Sequence, residues 1–173
     1  RPGLGVHRAI RQVQAELRRF AWFAKVDVDA YFPSIDHAIL ARLLAKRFKG
    51  DDFLALLGRI IASCPAAPGR GLPIGSLTSQ HFANHYLDGA DRFLLAHPLV
   101  RAQVRYMDDI ICWGDDRQSV RQVVGDLREW LQRERHLTLK ANVQINRSER
   151  GVSYCGARVL RGSLRLTPRK QAR

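Results

Sequence analysis

The stretch VRYMDDIIC, residues 104–112, constrains the fold more than any other, because two adjacent carboxylates, Asp108 and Asp109, interrupt a run of β-forming residues. Val104, Ile110 and Ile111 favour strands, whereas Asp is depleted in strands and common in turns. The stretch therefore predicts a hairpin with both acids at its tip. Two negative charges at that range repel and push one pKa up unless something positive sits between them, and a divalent cation satisfies the pair. As a bare dipeptide, Asp-Asp is more often a solvated turn, so the functional reading needs support elsewhere in the chain.

With 173 residues the length suits one domain with a real core. Lysine and arginine number 29 against 16 acids, a formal charge of +13. Such a balance calls for a polyanionic partner, and nucleic acid fits because each neutralised phosphate releases counterions. No apolar run approaches the roughly 18 residues of a membrane span, and RPGLGVHRAI lacks the apolar stretch of a signal peptide. These features predict a cytoplasmic protein with no membrane partner, a basic protein of membrane surfaces being the rival reading of the charge. Cys64, Cys112 and Cys155 are odd in number, far apart and free of CxxC spacing, which predicts reduced thiols.

Val6, Ile10, Val13 and Leu17 recur at helical spacing with Arg8, Arg11, Arg18 and Arg19 off the stripe, predicting an opening basic amphipathic helix. WFAKVDV, residues 22–28, alternates as a strand. Ser34 or Asp36 can cap a helix that buries Ile39, Leu40, Leu43, Leu44 and Phe48. A short helix follows Gly50, residues 64–75 are dense in Pro and Gly and predict a loop, and residues 77–97 have the length of a long helix. After the hairpin, Val120, Val123, Leu127, Trp130 and Leu131 mark another helix, and VSYCGARVLRGSLRLT predicts two short strands about a Gly-Ser turn. The order implies an α+β fold, with a mostly antiparallel sheet covered by helices on one face.

In KVDVDAYF, Asp27 and Asp29 fall on one face of the predicted strand and Val26 and Val28 on the other. If that strand lies beside the 104–112 hairpin, Asp27 and Asp108 meet across it. Carboxylates gathered on one sheet face form an oxygen-rich site that suits hard ions such as magnesium rather than zinc. Two such ions about 4 Å apart can activate a hydroxyl and clamp an in-line displacement at phosphorus. On so basic a chain, that chemistry points to a polymerase or a nuclease.

These residues carry a resemblance. Tyr106-Met107-Asp108-Asp109 resembles the YxDD signature of reverse transcriptases, and Asp27 followed by Phe32 is similar to that family's first catalytic strand. GLPIGSLTSQ, residues 71–80, resembles the nucleotide-contacting motif that many relatives write as QGxxxSP. Its apolar Ile74 in place of Gln, and Gln80 in place of Pro, look like the reverse transcriptases of diversity-generating retroelements. RPGLGVHRAI resembles the motif preceding the catalytic strand, and GVSYCGARV the hairpin that grips the primer.

The resemblance implies a polymerase palm over residues 1–173 with partial fingers at 1–21 and about 37–74, the upstream fingers and C-terminal thumb falling outside the chain. It implies that Asp27 and Asp108 bind two Mg2+ ions, with Mn2+ as a substitute, that the Val28 carbonyl completes one site, and that Asp109 supports it. Asp29 is the rival to Asp27, because the gap before DAYF is one residue shorter than in relatives; the distance to Phe32 favours Asp27, leaving Asp29 a surface acid. Phe32 becomes a steric gate under the sugar, with Tyr31, Ile74, Gly75 and Gln80 completing the nucleotide contacts. Tyr106 and Met107 lie near the primer terminus, and Tyr154, Cys155 and Gly156 contact primer and template. Lys140 is out of register for the family's proton-donating lysine and is expected as a solvated lysine at a strand edge. Arg158, Arg161, Arg165, Arg169, Lys170 and Arg173 form a basic tail that either tracks a nucleic-acid backbone or stays solvated.

The implied substrates are an RNA template, a DNA or RNA primer and dNTPs, with a basic accessory protein of the retroelement as a further partner, in a bacterial, archaeal or phage-encoded system. Retron, group II intron and defence branches remain alternatives. From other classes come a degenerate palm that only binds RNA, and a cyclase or nuclease on a similar two-metal sheet.

Overall fold

The computed structural model describes residues 5–63 and 66–166. The first four residues of the RPGLGVHRAI motif, Cys64, and Arg169, Lys170 and Arg173 of the basic tail lie outside the described residues. The elements run α1 (Val6–Arg19), β1 (Trp22–Asp27), α2 (Tyr31–Ser34), α3 (His37–Arg47), α4 (Asp51–Ala62), α5 (Leu77–Ala96), β2 (Ala102–Tyr106), β3 (Asp109–Gly114), α6 (Arg117–Arg135), β4 (Gln144–Arg147), β5 (Val152–Tyr154), β6 (Ala157–Val159) and β7 (Leu164–Leu166). The fold is α+β with antiparallel sheets, as the sequence pattern predicts. The chain divides into two compact units: residues up to Asp27 with Asp91–Leu127 and the chain from Lys140 onward, and Val28–Ala90 with Arg128–Leu139.

The first unit holds a four-stranded sheet in the order β2-β3-β1-β4 and a three-stranded sheet in the order β5-β6-β7. Phe23, Lys25 and Asp27 face Trp113, Ile111 and Asp109 directly across β1 and β3, and Ala102, Val104 and Tyr106 extend the same rows onto β2. Directly opposed residues share a sheet face. At its far end that face is core: Phe23, Val104, Ile111 and Trp113 pack with Val13 and Leu17 of α1 and with Val152, Tyr154, Ala157 and Val159 of the smaller sheet. At its near end the same face carries the acids.

The C-terminal segment departs from the expected single hairpin. Three strands form, because an additional turn at Cys155 and Gly156 separates β5 from β6 before the Gly162-Ser163 turn separates β6 from β7. Cys155 (φ 49°) and Gly156 (φ 77°) both take left-handed backbone there, and a cysteine in that role gives little turn signal. Strand β4, absent from the pattern-based reading, pairs antiparallel with β1 on the side away from β3.

In the second unit Asp36 caps α3, its Oδ1 accepting from the Ala38 and Ile39 backbone N–H groups at 2.9 and 3.0 Å. Ile39, Leu40 and Leu44 of α3 and Leu57 and Ile61 of α4 are buried. Phe48, expected among them, is 40% exposed because α3 ends at Arg47, and it packs edge-on against Phe53 instead. A tight knot joins α5 to the end of α6. Tyr86 donates its hydroxyl to the Arg135 carbonyl at 2.6 Å, Arg135 Nε donates to the Tyr86 carbonyl at 2.8 Å, and the guanidinium lies 4.8 Å from the Trp130 ring. A Cβ at position 89 would crowd the Arg135 guanidinium and the Trp130 ring, so glycine lets both approach α5 closely.

Burial raises the Asp36 pKa, but the N–H groups of Ile39 and Ala38 and the contact with His136 outweigh it and hold the carboxyl below the usual range. The ionised cap therefore stabilises the fold above about pH 4, and its contribution fades as pH falls through the lowered value. Asp36→Ala is expected to cost about 1 kcal/mol at neutral pH, with a smaller penalty in acid, measured by denaturant titration at several pH values.

Candidate active site

β1 ends at Asp27 and β3 begins at Asp109, and the antiparallel register sets these residues directly opposite one another. Tyr106 pairs with Asp109, so Met107 and Asp108 alone make the turn between β2 and β3. Met107 has φ 58° at the first turn position, where glycine is usual. A bulky side chain in left-handed backbone costs roughly 1–3 kcal/mol and marks positions where function sets the geometry. The turn places Asp108 beside the pair, and the three carboxylates interact.

Burial, followed by the charge of Asp27, raises the Asp108 pKa, with Lys140 and Lys25 opposing. Asp109 is pushed up to about 6, first by burial and then by Asp27 and Asp108, against the pull of Lys25. Two ammonium groups answer these charges. Lys25 Nζ lies 3.2 Å from Asp109 Oδ2 and Lys140 Nζ 3.1 Å from Asp27 Oδ1. Lys140 also donates its backbone N–H to the Asp27 carbonyl at 2.9 Å. A shallow cleft runs beside the pair, lined by Lys25, Val26, Asp27, Lys140, Asn142 and Gln144.

Among the described residues, no three His, Cys, Asp or Glu side chains form a ready metal cage; the lysines hold Asp27 and Asp109 instead. The donor set nevertheless suits a hard divalent cation. The side chains of Asp27, Asp108 and Asp109 offer only carboxylate oxygens, and Asp109 Oδ1 is buried with no hydrogen-bond partner.

Asp27, Asp108, Asp109, Tyr106 and Met107 come together at one end of the sheet. Tyr106 is 38% exposed. Tyr154, expected at a primer, is instead a core residue at 1% exposure, its hydroxyl donating to the Asp109 carbonyl at 3.3 Å. Cys155 and Gly156 form the turn that follows it. Asp29 lies beyond the end of β1 and is exposed, so the alternation expected to carry it onto the face of Asp27 stops short of it. The second unit carries the remaining candidates. Val28 is buried and bridges Leu139; Tyr31 is buried and donates its hydroxyl to the Ala83 carbonyl; Phe32 is half-buried. Ile74 is 79% exposed, Gly75 has φ 96°, and Gln80 is exposed in the first turn of α5. The sequence reading missed Lys25, Asn142 and Gln144 and set Lys140 aside as solvated. Lys140 reaches a residue 113 positions away, and the alternation that put Lys25 on the face of Asp27 was the one signal available.

Residues 1–158 match the family described as Reverse transcriptase (RNA-dependent DNA polymerase), and the chain belongs to that family. It is 31% identical over 100 residues to an uncharacterized 91 kDa protein in the cob intron of Schizosaccharomyces pombe, covering 54% of this chain and 12% of that protein. It is 30% identical over 105 residues to Protein YkfC of Escherichia coli, covering 54% and 28%. The chain thus spans a minor part of these relatives. Among solved structures it resembles telomerase from Candida albicans in complex with a TWJ fragment of telomeric RNA (TM-score 0.67, 12% identity, 92% of this chain and 33% of that one). Apo telomerase from Candida tropicalis truncated from its C-terminal domain is similar (TM-score 0.64, 14% identity, 94% and 39%). At these identities the likeness is one of fold.

A carboxyl whose native pKa is raised stabilises the fold below its unfolded value, near 4, and loses that contribution as pH rises through about 6. Asp109→Asn is therefore expected to raise metal-free stability at pH 8 by about 1 kcal/mol, a few degrees in Tm. Calorimetry across pH should show the gain vanish near pH 4.

Proposed function

We propose that this chain is the polymerising palm of an RNA-templated DNA polymerase, taking an RNA template, a DNA or RNA primer and dNTPs. The observation that carries this reading is the register that sets Asp27 against Asp109, with Asp108 one residue away in a tight turn. Asp27 and Asp108 would hold the ions, with the Val28 carbonyl contributing to one of them and Asp109 supporting the pair. Two magnesium ions, or manganese in their place, would activate the primer hydroxyl and stabilise the leaving pyrophosphate. The strained turn fixes Asp108, and the apolar far end of the sheet holds the strands that carry the acids in one register. Tyr106 lies at the primer terminus. Phe32 acts as the steric gate, and Ile74, Gly75 and Gln80 serve the incoming nucleotide.

Within the family we assign the chain to the error-prone enzymes of diversity-generating retroelements, on the apolar Ile74 and on Gln80 at the end of the loop motif. Replacing a directional amide by a hydrocarbon removes polar readout worth about 1–3 kcal/mol. In that setting the enzyme is cytoplasmic and works with a basic accessory protein. The intron-encoded branch is the second reading, favoured by relatives named for introns, the cob intron protein and a putative COX1/OXI3 intron 2 protein of Saccharomyces cerevisiae. Among the described residues no helix is long and apolar enough to cross a membrane.

In its native full-length context the protein is expected to extend an oligo-dT primer on poly-rA with magnesium, and Asp108→Asn to slow extension at least about a thousandfold, roughly 4 kcal/mol of barrier. RNA binding without extension by the unaltered protein would identify an RNA-binding scaffold instead. Ile74→Gln is expected to lower misincorporation opposite template adenine, read by sequencing the products; an unchanged error spectrum contradicts the role given to Ile74.

A further inference from the structure

The two lysines at the carboxylates are not equivalent. Lys140 is 48% exposed and meets Asp27 at the mouth of the cleft, where an ion pair is screened and weak. Lys25 is 20% exposed and meets Asp109, itself 19% exposed. The Lys25 ammonium also donates to the Ser153 carbonyl of β5 at 3.0 Å and lies 5.9 Å from the centre of the Tyr154 ring. Tyr154 in turn donates to the backbone carbonyl of Asp109. Asp109 is therefore tied to β5 twice, through its side chain by Lys25 and through its main chain by Tyr154. Oδ2 is taken by the ammonium while Oδ1, buried, has no partner.

An ion approaching the three acids meets a fixed positive charge on the side of Asp109 and a loosely held one on the side of Asp27. We propose that Lys25 is a positioning residue: it reserves Asp109 Oδ2, holds that carboxylate in a supporting role, and directs divalent cations to Asp27 and Asp108. This rests on the metal-dependent reading above. Because Lys25 repels the ions it helps to place, removing its charge tightens metal binding while weakening turnover, a combination that simple structural damage does not produce.

The test compares the unaltered protein with Lys25→Gln, which keeps a donor for the Ser153 carbonyl but no charge, and Lys25→Arg, which keeps the charge. Mn2+ affinity is measured by calorimetry at pH 8, primer extension at saturating metal, and folding by thermal unfolding. Lys25→Gln is expected to bind Mn2+ about tenfold tighter and to extend primers at least about tenfold more slowly, with Lys25→Arg close to the unaltered protein in both. Equal or weaker Mn2+ binding by a folded Lys25→Gln overturns the inference while leaving the polymerase reading intact. Absence of Asp108-dependent Mn2+ binding in the unaltered protein overturns both.

Discussion

The antiparallel pairing of β1 with β3 sets one carboxylate directly against another, and most of what the first unit does follows from that opposition. Like charges facing each other across a ladder destabilise a sheet. The register is nevertheless held, because slipping by one residue would turn Phe23, Ile111 and Trp113 out of the core that α1 and the smaller sheet complete. Apolar burial at one end of the face thus fixes acids together at the other. The sheet spends stability gained in its core on a site that repels itself, the usual relation between a scaffold and its reactive centre.

That repulsion is managed by placement. Lys25 and Lys140 each meet one carboxylate, and Asp109 Oδ1 is left without a hydrogen-bond partner. Burial makes Asp108 and Asp109 harder to ionise, and a divalent ion would relieve that penalty by meeting both anions at once. The +13 charge of the chain offsets this local cluster of acids, which on its own would repel a polyanion.

Much of this was legible in the chain itself. The hairpin, the strand ending in Asp27 and the amphipathic α1 follow from periodicity, and Asp36 is a cap recognisable from its place before an apolar stripe. What escaped is what depends on distant partners. β4 is a four-residue strand of ordinary composition, defined by pairing with β1 rather than by pattern. Lys140 sits in irregular chain before it, so no local period ties it to Asp27. Tyr154 carries a motif that suggests contact with substrate, yet its ring fills the core and only its hydroxyl reaches the site. Phe48 continues a buried stripe on paper but falls one residue past the helix that would bury it.

The most direct test of the account replaces Mg2+ by Fe2+ and adds ascorbate and peroxide, so that radicals made at the bound ion cut the nearest backbone. Paired cuts beside Asp27 and in the turn around Asp108, both lost in Asp108→Asn, are the predicted result. Cuts at only one of these places, or confined to another part of the chain, would contradict the claim that the two acids share their cations.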